Sequence, residues 1–518
     1  MDAETQTSRP IRTAAIANLG CKVNQSEMEG AARRLRERGV SIVDGDRPAD
    51  LVLVNTCTVT AEADAKSRHA VRRARRASPD AAVIVTGCSV ELDPGAFADA
   101  DPAARLIGNR TKDALLAELE RLLGPAGTDG ASETAHPSRL DRALPTLSGV
   151  EMERVSIDGI TDERASVERT RAFVKVQDGC SFFCTYCIIP TARGPERSLA
   201  PAAVIDDVRR AVAAGHREIV LTGINIGTYD GGWSERGARG AHRRSALTLA
   251  GLVRRLLDET GAERIRLSSI EPQHVDDELL RVWTDGAPRT MPHLHLPLQS
   301  GDDGVLRRMG RRYTTAGYVE VVERVRRAIP GVAIHADAIV GFPTEDDGAW
   351  RRSLEYIRSL GLAGLHVFRY SARPGTAATR MSGQVAEPVK RQRAAELLAV
   401  AVDARAGWAA GRVGTRADVL LESRLDDGRW TGHGADHTLV AVAPGRPDDD
   451  LENVVARVAI EAVDSVRRDR VVGRILSISR PSFRLGTRPR TTAPAATPVP
   501  TRPPASSSII AGAVRHAS

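Results

Sequence analysis

Four times along this 518-residue chain an apolar run of strand length leads into a cysteine, and the chain has only six cysteines. The runs are IRTAAIANLG before Cys21, ADLVLVNT before Cys57, DAAVIVTG before Cys88 and RAFVKVQ before Cys180. After each of the first three comes a segment of helical character. Strand then helix, repeated, is satisfied by a parallel sheet with helices packed on it, an α/β fold. In such sheets ligands collect at the carboxyl ends of the strands. Cys21, Cys57 and Cys88 lie 36 and 31 residues apart, yet this pattern brings them to one edge of one small domain, spanning 12–125.

From 126 to 168 the chain turns polar and irregular (GPAGTDGASETAHPSRL onward), as a linker does. A second strand–helix series follows: RAFVKVQ (171–177), REIVLTG (217–223), ERIRLSS (263–269), MPHLHLPLQ (291–299), VAIHADAIVGF (332–342) and GLHVFRYS (364–371). Six such strands predict a partial TIM-like barrel over 169–400 with its working face at the strand carboxyl ends. GGWSERGARGAHRRSA (231–246) reads as a surface loop within it. Short alternating segments over 405–478 predict a small closed β-barrel of the OB-like kind. Residues 479–518 are rich in Pro, Thr, Ser and Ala, and from Arg470 onward there are eight arginines and no acidic residue, as in a disordered basic tail.

Nothing resembles a signal peptide, and no apolar stretch approaches the length of a membrane span, so a cytoplasmic protein is expected. Six cysteines are too sparse for a disulfide scaffold, and in a reducing compartment spaced cysteines ligate metal. The net charge of +7 agrees with a nucleic-acid partner. It is weak support, because the cations are 68 Arg and five Lys and the Arg excess runs through every region.

Cys180, Cys184 and Cys187 form a C-x3-C-x2-C triplet directly after the first barrel strand. Three thiolates hold three irons of a 4Fe-4S cube and leave the fourth iron open. Zinc asks for a fourth closing ligand, and the next histidine, His216, is 29 residues away. The loop resembles that of the radical S-adenosylmethionine superfamily, with Tyr186 at the aromatic position before the last cysteine. The resemblance implies that the open iron chelates S-adenosylmethionine and that one electron cleaves it to a 5′-deoxyadenosyl radical. It further implies cofactor contacts from Thr222, Gly223 and Asn225 after the second strand, from Ser268, Ser269 and Glu271 after the third, from Gln299, Ser300 and Gly301 after the fourth, and from Ile339 and Gly341 beside the adenine. His293 and His295, two apart on one strand, read as packed or hydrogen-bonded rather than metal-ligating.

Taken singly, Cys21, Cys57 and Cys88 would each be a buried small hydrophobe. Their matched placement argues otherwise, and Gly20–Gln25, Asn55–Val59 and Thr86–Cys88 look like the amino-terminal domain of the methylthiotransferase family. That family joins this domain to a radical barrel and a carboxy-terminal TRAM domain that binds RNA or another substrate. The likeness covers about 12–478 and extends to Cys187–Ser198, Leu267–Pro272, Leu296–Gly301 and Tyr370–Thr376. It implies a second 4Fe-4S cluster at Cys21, Cys57 and Cys88, where a sulfur is methylated by one S-adenosylmethionine while another supplies the radical. It also implies a flavodoxin or ferredoxin as electron donor.

GCKVNQ followed by Glu27 and Glu29 most resembles the enzymes that methylthiolate C2 of N6-threonylcarbamoyladenosine at position 37 of tRNA. Those acting on isopentenyladenosine tend toward Gly-Cys-Gln-Met-Asn, and those acting on a ribosomal-protein aspartate toward Gly-Cys-Pro-Lys-Asn. Two residues depart from the family pattern: His437, where an aromatic is expected, and Thr344, where glycine is common. The competing readings are one of those other substrates, a non-enzymatic RNA-binding protein with two structural zinc sites, and a radical enzyme whose second cluster only relays electrons.

Overall fold

The computed structural model describes residues 10–44, 47–124, 170–232 and 247–479, with two short strands at 144–145 and 164–165. The expected linker apart from those strands, positions 233–246 of the insertion, and the tail beyond 479 lie outside the described residues.

The first domain is a five-stranded parallel sheet in the order β2-β1-β3-β4-β5, built from β1 (Thr13–Asn18), β2 (Ser41–Val43), β3 (Leu51–Thr56), β4 (Ala82–Gly87) and β5 (Arg105–Gly108). All six residues of β3 are buried, because helices cover both faces of the sheet. Leu51 and Leu53 pack with Ile16, Met28, Leu35 and Leu119 on one face. Val52 and Val54 meet Val71, Val85 and Phe97 on the other. The edge strands β2 and β5 were not among the expected ones. At three and four residues, SIV and RLIG are too short to show a pattern.

Six parallel strands make the second domain: β6 (Arg171–Lys175), β7 (Glu218–Thr222), β8 (Arg264–Leu267), β9 (His293–His295), β10 (Ala333–Val340) and β11 (Gly364–Arg369). They form two three-stranded sheets. Bridges Ile265–Thr290 and Ser269–His295 join these into one arc. Among the described residues β11 does not pair with β6, so the barrel is partial, as expected. Strand β9 is shorter than the run MPHLHLPLQ suggested, because Pro292 and Pro297 flank it and neither has an amide to donate. Five of the surrounding helices begin on a capping side chain, Thr248, Asp276, Asp302, Thr314 or Asp346, that accepts the amide three residues on.

Strands β12 (Arg416–Arg424), β13 (Trp430–Gly434), β14 (Leu439–Val442), β15 (Val455–Val463) and β16 (Arg470–Ser479) close a small barrel in the order β12-β13-β14-β16-β15. It docks on the amino-terminal ends of the parallel strands. Arg264 donates to the Asp418 carbonyl at 3.2 Å, Asn453 to the Gly215 carbonyl at 2.8 Å and Arg217 to the Ser479 carbonyl at 3.0 Å. Arg171 pairs with Glu422 at 2.9 Å. The opposite face of the parallel barrel, where its strands end, is therefore left to the cysteines. Both departures from the family pattern sit in left-handed backbone, Thr344 at φ 75° and His437 at φ 67°, where a side chain costs roughly 1–2 kcal/mol relative to glycine. No helix among the described residues is long and apolar enough to cross a membrane.

Candidate active site

Strands β1, β3 and β4 are neighbours, and one cysteine of the dispersed triplet follows each. Cys21 precedes the helix Lys22–Glu37, Cys57 follows β3 and Cys88 opens the helix Cys88–Leu92. Two glycines let these ends approach. At Gly20 (φ 123°) a Cβ would lie 3.0 Å from Cys57 Cβ, and at Gly87 (φ 108°) it would lie 2.4 Å from the Thr56 carbonyl oxygen. Any larger residue would push the strand ends apart. Asn109 donates to Cys88 Sγ at 3.1 Å, and Ser67 Oγ holds the Cys57 amide at 3.1 Å.

The compact triplet is positioned by its own loop. The Cys180 amide donates to the Gly194 carbonyl at 3.1 Å and the Cys187 amide to the Cys184 carbonyl at 2.9 Å. Thr185 anchors the loop's middle, its amide to the Met309 carbonyl and its hydroxyl to that of Arg308 at 2.8 Å. Burial pushes the thiols of Cys57 and Cys187 up to about 12. Buried thiols of this kind ionise when a metal supplies the missing positive charge.

The residues expected to touch S-adenosylmethionine lie in the last residues of their strands or in the segments just after them. Asn225 is the clearest: its side chain is buried and neither amide atom has a hydrogen-bond partner, although its backbone amide is held by Gln177 Oε1 at 2.8 Å. Ser268 Oγ is likewise buried without a partner. Buried polar atoms without a protein partner are open to a polar ligand. Gly223 packs so closely on Gln177 that a Cβ would lie 2.9 Å from its carbonyl oxygen, and Thr222 is buried beside it. Gln299 is held at φ 69°, a strained backbone of the kind found at ligand sites. Tyr186 meets Phe342 edge-on at 6.4 Å and borders the same apolar patch as Ile339.

Other expected contacts have their polar groups engaged. Ser269 Oγ lies 2.6 Å from His295 Nδ1 in a chain that continues to Asp337 (3.0 Å) and His366 (2.9 Å). The Ser300 hydroxyl accepts the Asp302 amide, and the Gly301 amide donates to Ser353. The Gly341 amide is bound by Glu345 at 2.6 Å, so Gly341 shapes its turn and offers no donor. Glu271 is ion-paired with Arg311, whose guanidinium also lies 3.6 Å from Cys184 Sγ. The sequence reading missed Arg311, since an arginine 40 residues downstream of Glu271 in an Arg-rich chain gives no signal.

Arg193 lies in the stretch Cys187–Ser198 that carries the family likeness, which gave it no role. This side chain is fully buried and touches the surroundings of both triplets. It donates to Asp178 at 2.9 Å, two residues before Cys180, and to Asn24 and Glu27 (3.2 Å), just after Cys21. Lys112 and Lys175 (3.2 Å) also pair with Glu27, and Arg197 pairs with Asp178 at 3.2 Å. Burial acts to raise the Glu27 pKa, but Lys112, Arg193 and Lys175 hold it well below the usual carboxylate range. Four cations against two carboxylates leave a positive surplus facing Cys21 and Cys88, which suits thiolates on an iron–sulfur cluster. A second link crosses the domains where Arg373 donates to Thr58 Oγ1 at 2.6 Å and pairs with Asp64.

Lys22, beside Cys21, keeps an accessible side chain although many protein atoms stand around its ammonium. Burial and the nearby Arg171 lower its ammonium to about 8. Among the described residues it forms no ion pair.

Residues 13–108 match a family model described as uncharacterized protein family UPF0004, and residues 174–357 match that of the radical SAM superfamily. The threonylcarbamoyladenosine tRNA methylthiotransferase MtaB of Bacillus subtilis (strain 168) is 37% identical over 390 residues, which is 75% of this chain and 80% of its own. The chain belongs to the radical S-adenosylmethionine methylthiotransferase family. Within it, the MtaB enzyme of Thermotoga maritima is 32% identical over 90% of this chain and 99% of its own length. A tRNA-2-methylthio-N(6)-dimethylallyladenosine synthase of Acidothermus cellulolyticus is 32% identical over 89% and 90%. The radical S-adenosylmethionine methyltransferase TsrM of Kitasatospora setae, solved with cobalamin and a 4Fe-4S cluster, aligns with a TM-score of 0.47 and 16% identity over 71% of this chain and 77% of its own, too slight a likeness to bear on the assignment. As a radical S-adenosylmethionine methylthiotransferase the chain is a transferase that works with S-adenosylmethionine and 4Fe-4S clusters.

Proposed function

We propose that this methylthiotransferase modifies C2 of N6-threonylcarbamoyladenosine at position 37 of tRNA. The observation that carries the reading is the pair of cysteine triplets at strand carboxyl ends on either side of one buried arginine, in a chain whose relatives include several enzymes named for that nucleoside. When bound, S-adenosylmethionine and the cluster at Cys180, Cys184 and Cys187 would supply the 5′-deoxyadenosyl radical, and the cluster at Cys21, Cys57 and Cys88 would hold the sulfur that is methylated.

The protein's own part is positioning. Arg193 fixes the separation of the two cysteine sets, since it holds the residues that flank each. Asn225, Ser268 and Gln299 orient the cofactor, with Tyr186 and Ile339 forming its apolar wall. Lys22, next to Cys21, is the cation for the threonyl carboxylate, a group that isopentenyladenosine lacks. A base in the anticodon loop reaches such a site by unstacking into it.

In this reading residues 12–125 carry the sulfur-donating cluster, 126–168 link, 169–400 generate the radical, 405–478 grip tRNA as a TRAM domain, and 479–518 trail as a basic tail. The electron donor is a flavodoxin or ferredoxin, and the enzyme works in the cytoplasm with its tRNA.

Mass spectrometry of tRNA nucleosides from a strain lacking the gene tests the substrate. The 2-methylthio derivative of threonylcarbamoyladenosine should vanish, its precursor accumulate, and both revert when the gene is returned. An unchanged nucleoside rejects the assignment. Loss of methylthio-isopentenyladenosine instead would move it to the second reading, which the Acidothermus relative favours.

A further inference from the structure

His293 and His295 share one short strand but have different surroundings. His295 is satisfied: Ser269 and Asp337 occupy its two nitrogens, and Asp337 is shared with His366. His293 is not, because its Nδ1 is buried without a hydrogen-bond partner. Around it stand His335 of β10 and His437 of the turn between β13 and β14. The ring nitrogens that these three residues offer lie within 4.8 Å of one another. Ring centroids are 4.7 Å apart for His293–His335, 4.7 Å for His293–His437 and 5.5 Å for His335–His437.

We propose that His293, His335 and His437 form a three-histidine site for a divalent transition ion of the zinc class, joining the carboxy-terminal β-barrel to the inner wall of the radical barrel. Three features of the local structure point the same way. His437 occupies left-handed backbone at φ 67°, where glycine would sit without strain, so its ring is held there at a cost. The turn that holds it is braced by the His437 amide on the Gly434 carbonyl at 3.0 Å and by Trp408 Nε1 on Thr438 Oγ1 at 2.9 Å. Beside β10, a Cβ at Gly364 would lie 2.3 Å from His335 Cδ2, so the His335 ring has room only because 364 is glycine.

The donor set selects the ion. Imidazole nitrogen without thiolate or carboxylate suits zinc, cobalt or nickel over magnesium or calcium. Tetrahedral zinc with nitrogen at about 2.0–2.1 Å asks for nitrogens roughly 3.3 Å apart. His293 Nε2 and His335 Nδ1 stand at 2.6 Å as a hydrogen-bonded pair, so an ion held through these two nitrogens exchanges that bond for two metal bonds after a small opening of the rings, and His293 Nδ1 then carries that ring's proton.

The test uses the full chain with its iron in place. Anaerobically purified protein is given one equivalent of Zn2+, desalted, and analysed for both metals and by zinc-edge X-ray absorption. The expected result is about one zinc per chain beyond the cluster iron, with imidazole scattering and no sulfur shell. His437→Phe, which keeps an aromatic ring, and His335→Gln should each lower retained zinc at least tenfold while iron content and S-adenosylmethionine cleavage are unchanged. Zinc absent from the wild type, zinc bound through sulfur, or zinc retained equally by His335→Gln overturns the proposal. Should His437→Phe lose iron as well, His335→Gln alone decides.

Discussion

The two cysteine triplets reach the same kind of geometry by opposite routes. Cys180, Cys184 and Cys187 are gathered within eight residues of one loop, which backbone hydrogen bonds to Gly194 and Met309 tie to the rest of the barrel. Cys21, Cys57 and Cys88 are gathered by a whole sheet: strand order, the register of β1, β3 and β4, and two glycines in left-handed or related backbone must all be right. A loop-encoded site tolerates distant change, and a topology-encoded site does not. Sequence spacing therefore reveals the first and conceals the second.

The largest effects come from breaking one triplet at a time. Cys184→Ala should abolish S-adenosylmethionine cleavage and product together. Cys57→Ala should leave cleavage to 5′-deoxyadenosine intact while methylthiolated tRNA disappears, and each variant should lose about half of roughly eight irons. If Cys57→Ala only slows product formation, the second cluster is an electron relay and not a sulfur donor. Colourless protein with stoichiometric zinc at both triplets would instead support a structural-zinc protein. Gly87→Ala sharpens the contrast without touching a ligand: with a Cβ 2.4 Å from the Thr56 carbonyl oxygen, it should lower iron at the dispersed site and spare radical formation.

Next in size is Arg193→Ala, which removes the group between the triplets and leaves Glu27 and Asp178 buried with less compensation. Removing one partner of a buried ion pair costs about 3–5 kcal/mol, so thermal unfolding should fall by many degrees and both triplets should lose iron. Arg193→Lys should recover little, since one ammonium cannot reach Asn24, Glu27 and Asp178 in the directions a guanidinium does. A variant with normal stability and iron would show that the triplets are positioned independently.

This also marks what the sequence could reveal. The parallel sheet, the six-stranded arc and the closed β-barrel were legible because their strands are long apolar or alternating runs with turn residues between them. Edge strands β2 and β5 were not, being too short for periodicity. Asn225 was singled out only through the family likeness at the end of β7, and the structure adds that its amide is buried and unpartnered. Arg311 gave no signal among 68 arginines, and Arg193 and Arg373, though inside stretches of family likeness, showed no role because their partners lie up to 315 positions away. The pair His335 and His437 was hidden for a related reason, since a strand and a turn of different domains must pack before those rings meet.

A smaller effect is expected at Lys22, the exposed residue beside Cys21. Lys22→Gln should raise KM for tRNA bearing threonylcarbamoyladenosine about tenfold, the loss of one charge-assisted contact, with cleavage of S-adenosylmethionine unchanged. An unaltered KM would remove Lys22 from substrate recognition and leave the rest of the assignment standing.

The smallest effect lies in a turn where the chain departs from glycine. At Gly20 and Gly87 the positive φ is met by glycine, but at 344 (φ 75°) it is met by a β-branched threonine. Left-handed backbone costs a side chain roughly 1–2 kcal/mol, and glycine gives back about 0.5–1 kcal/mol through the greater freedom of its unfolded chain. Thr344→Gly should therefore stabilise the radical barrel by about 0.5–1 kcal/mol, a rise in Tm of about 1–4 °C for a domain of this size. The Thr344 amide keeps its bond to the Gly383 carbonyl in either case, at 2.8 Å here, so the change isolates the backbone cost. A fall in Tm would mean that the threonine side chain, which lies against Gly383, contributes more packing than its backbone strain removes.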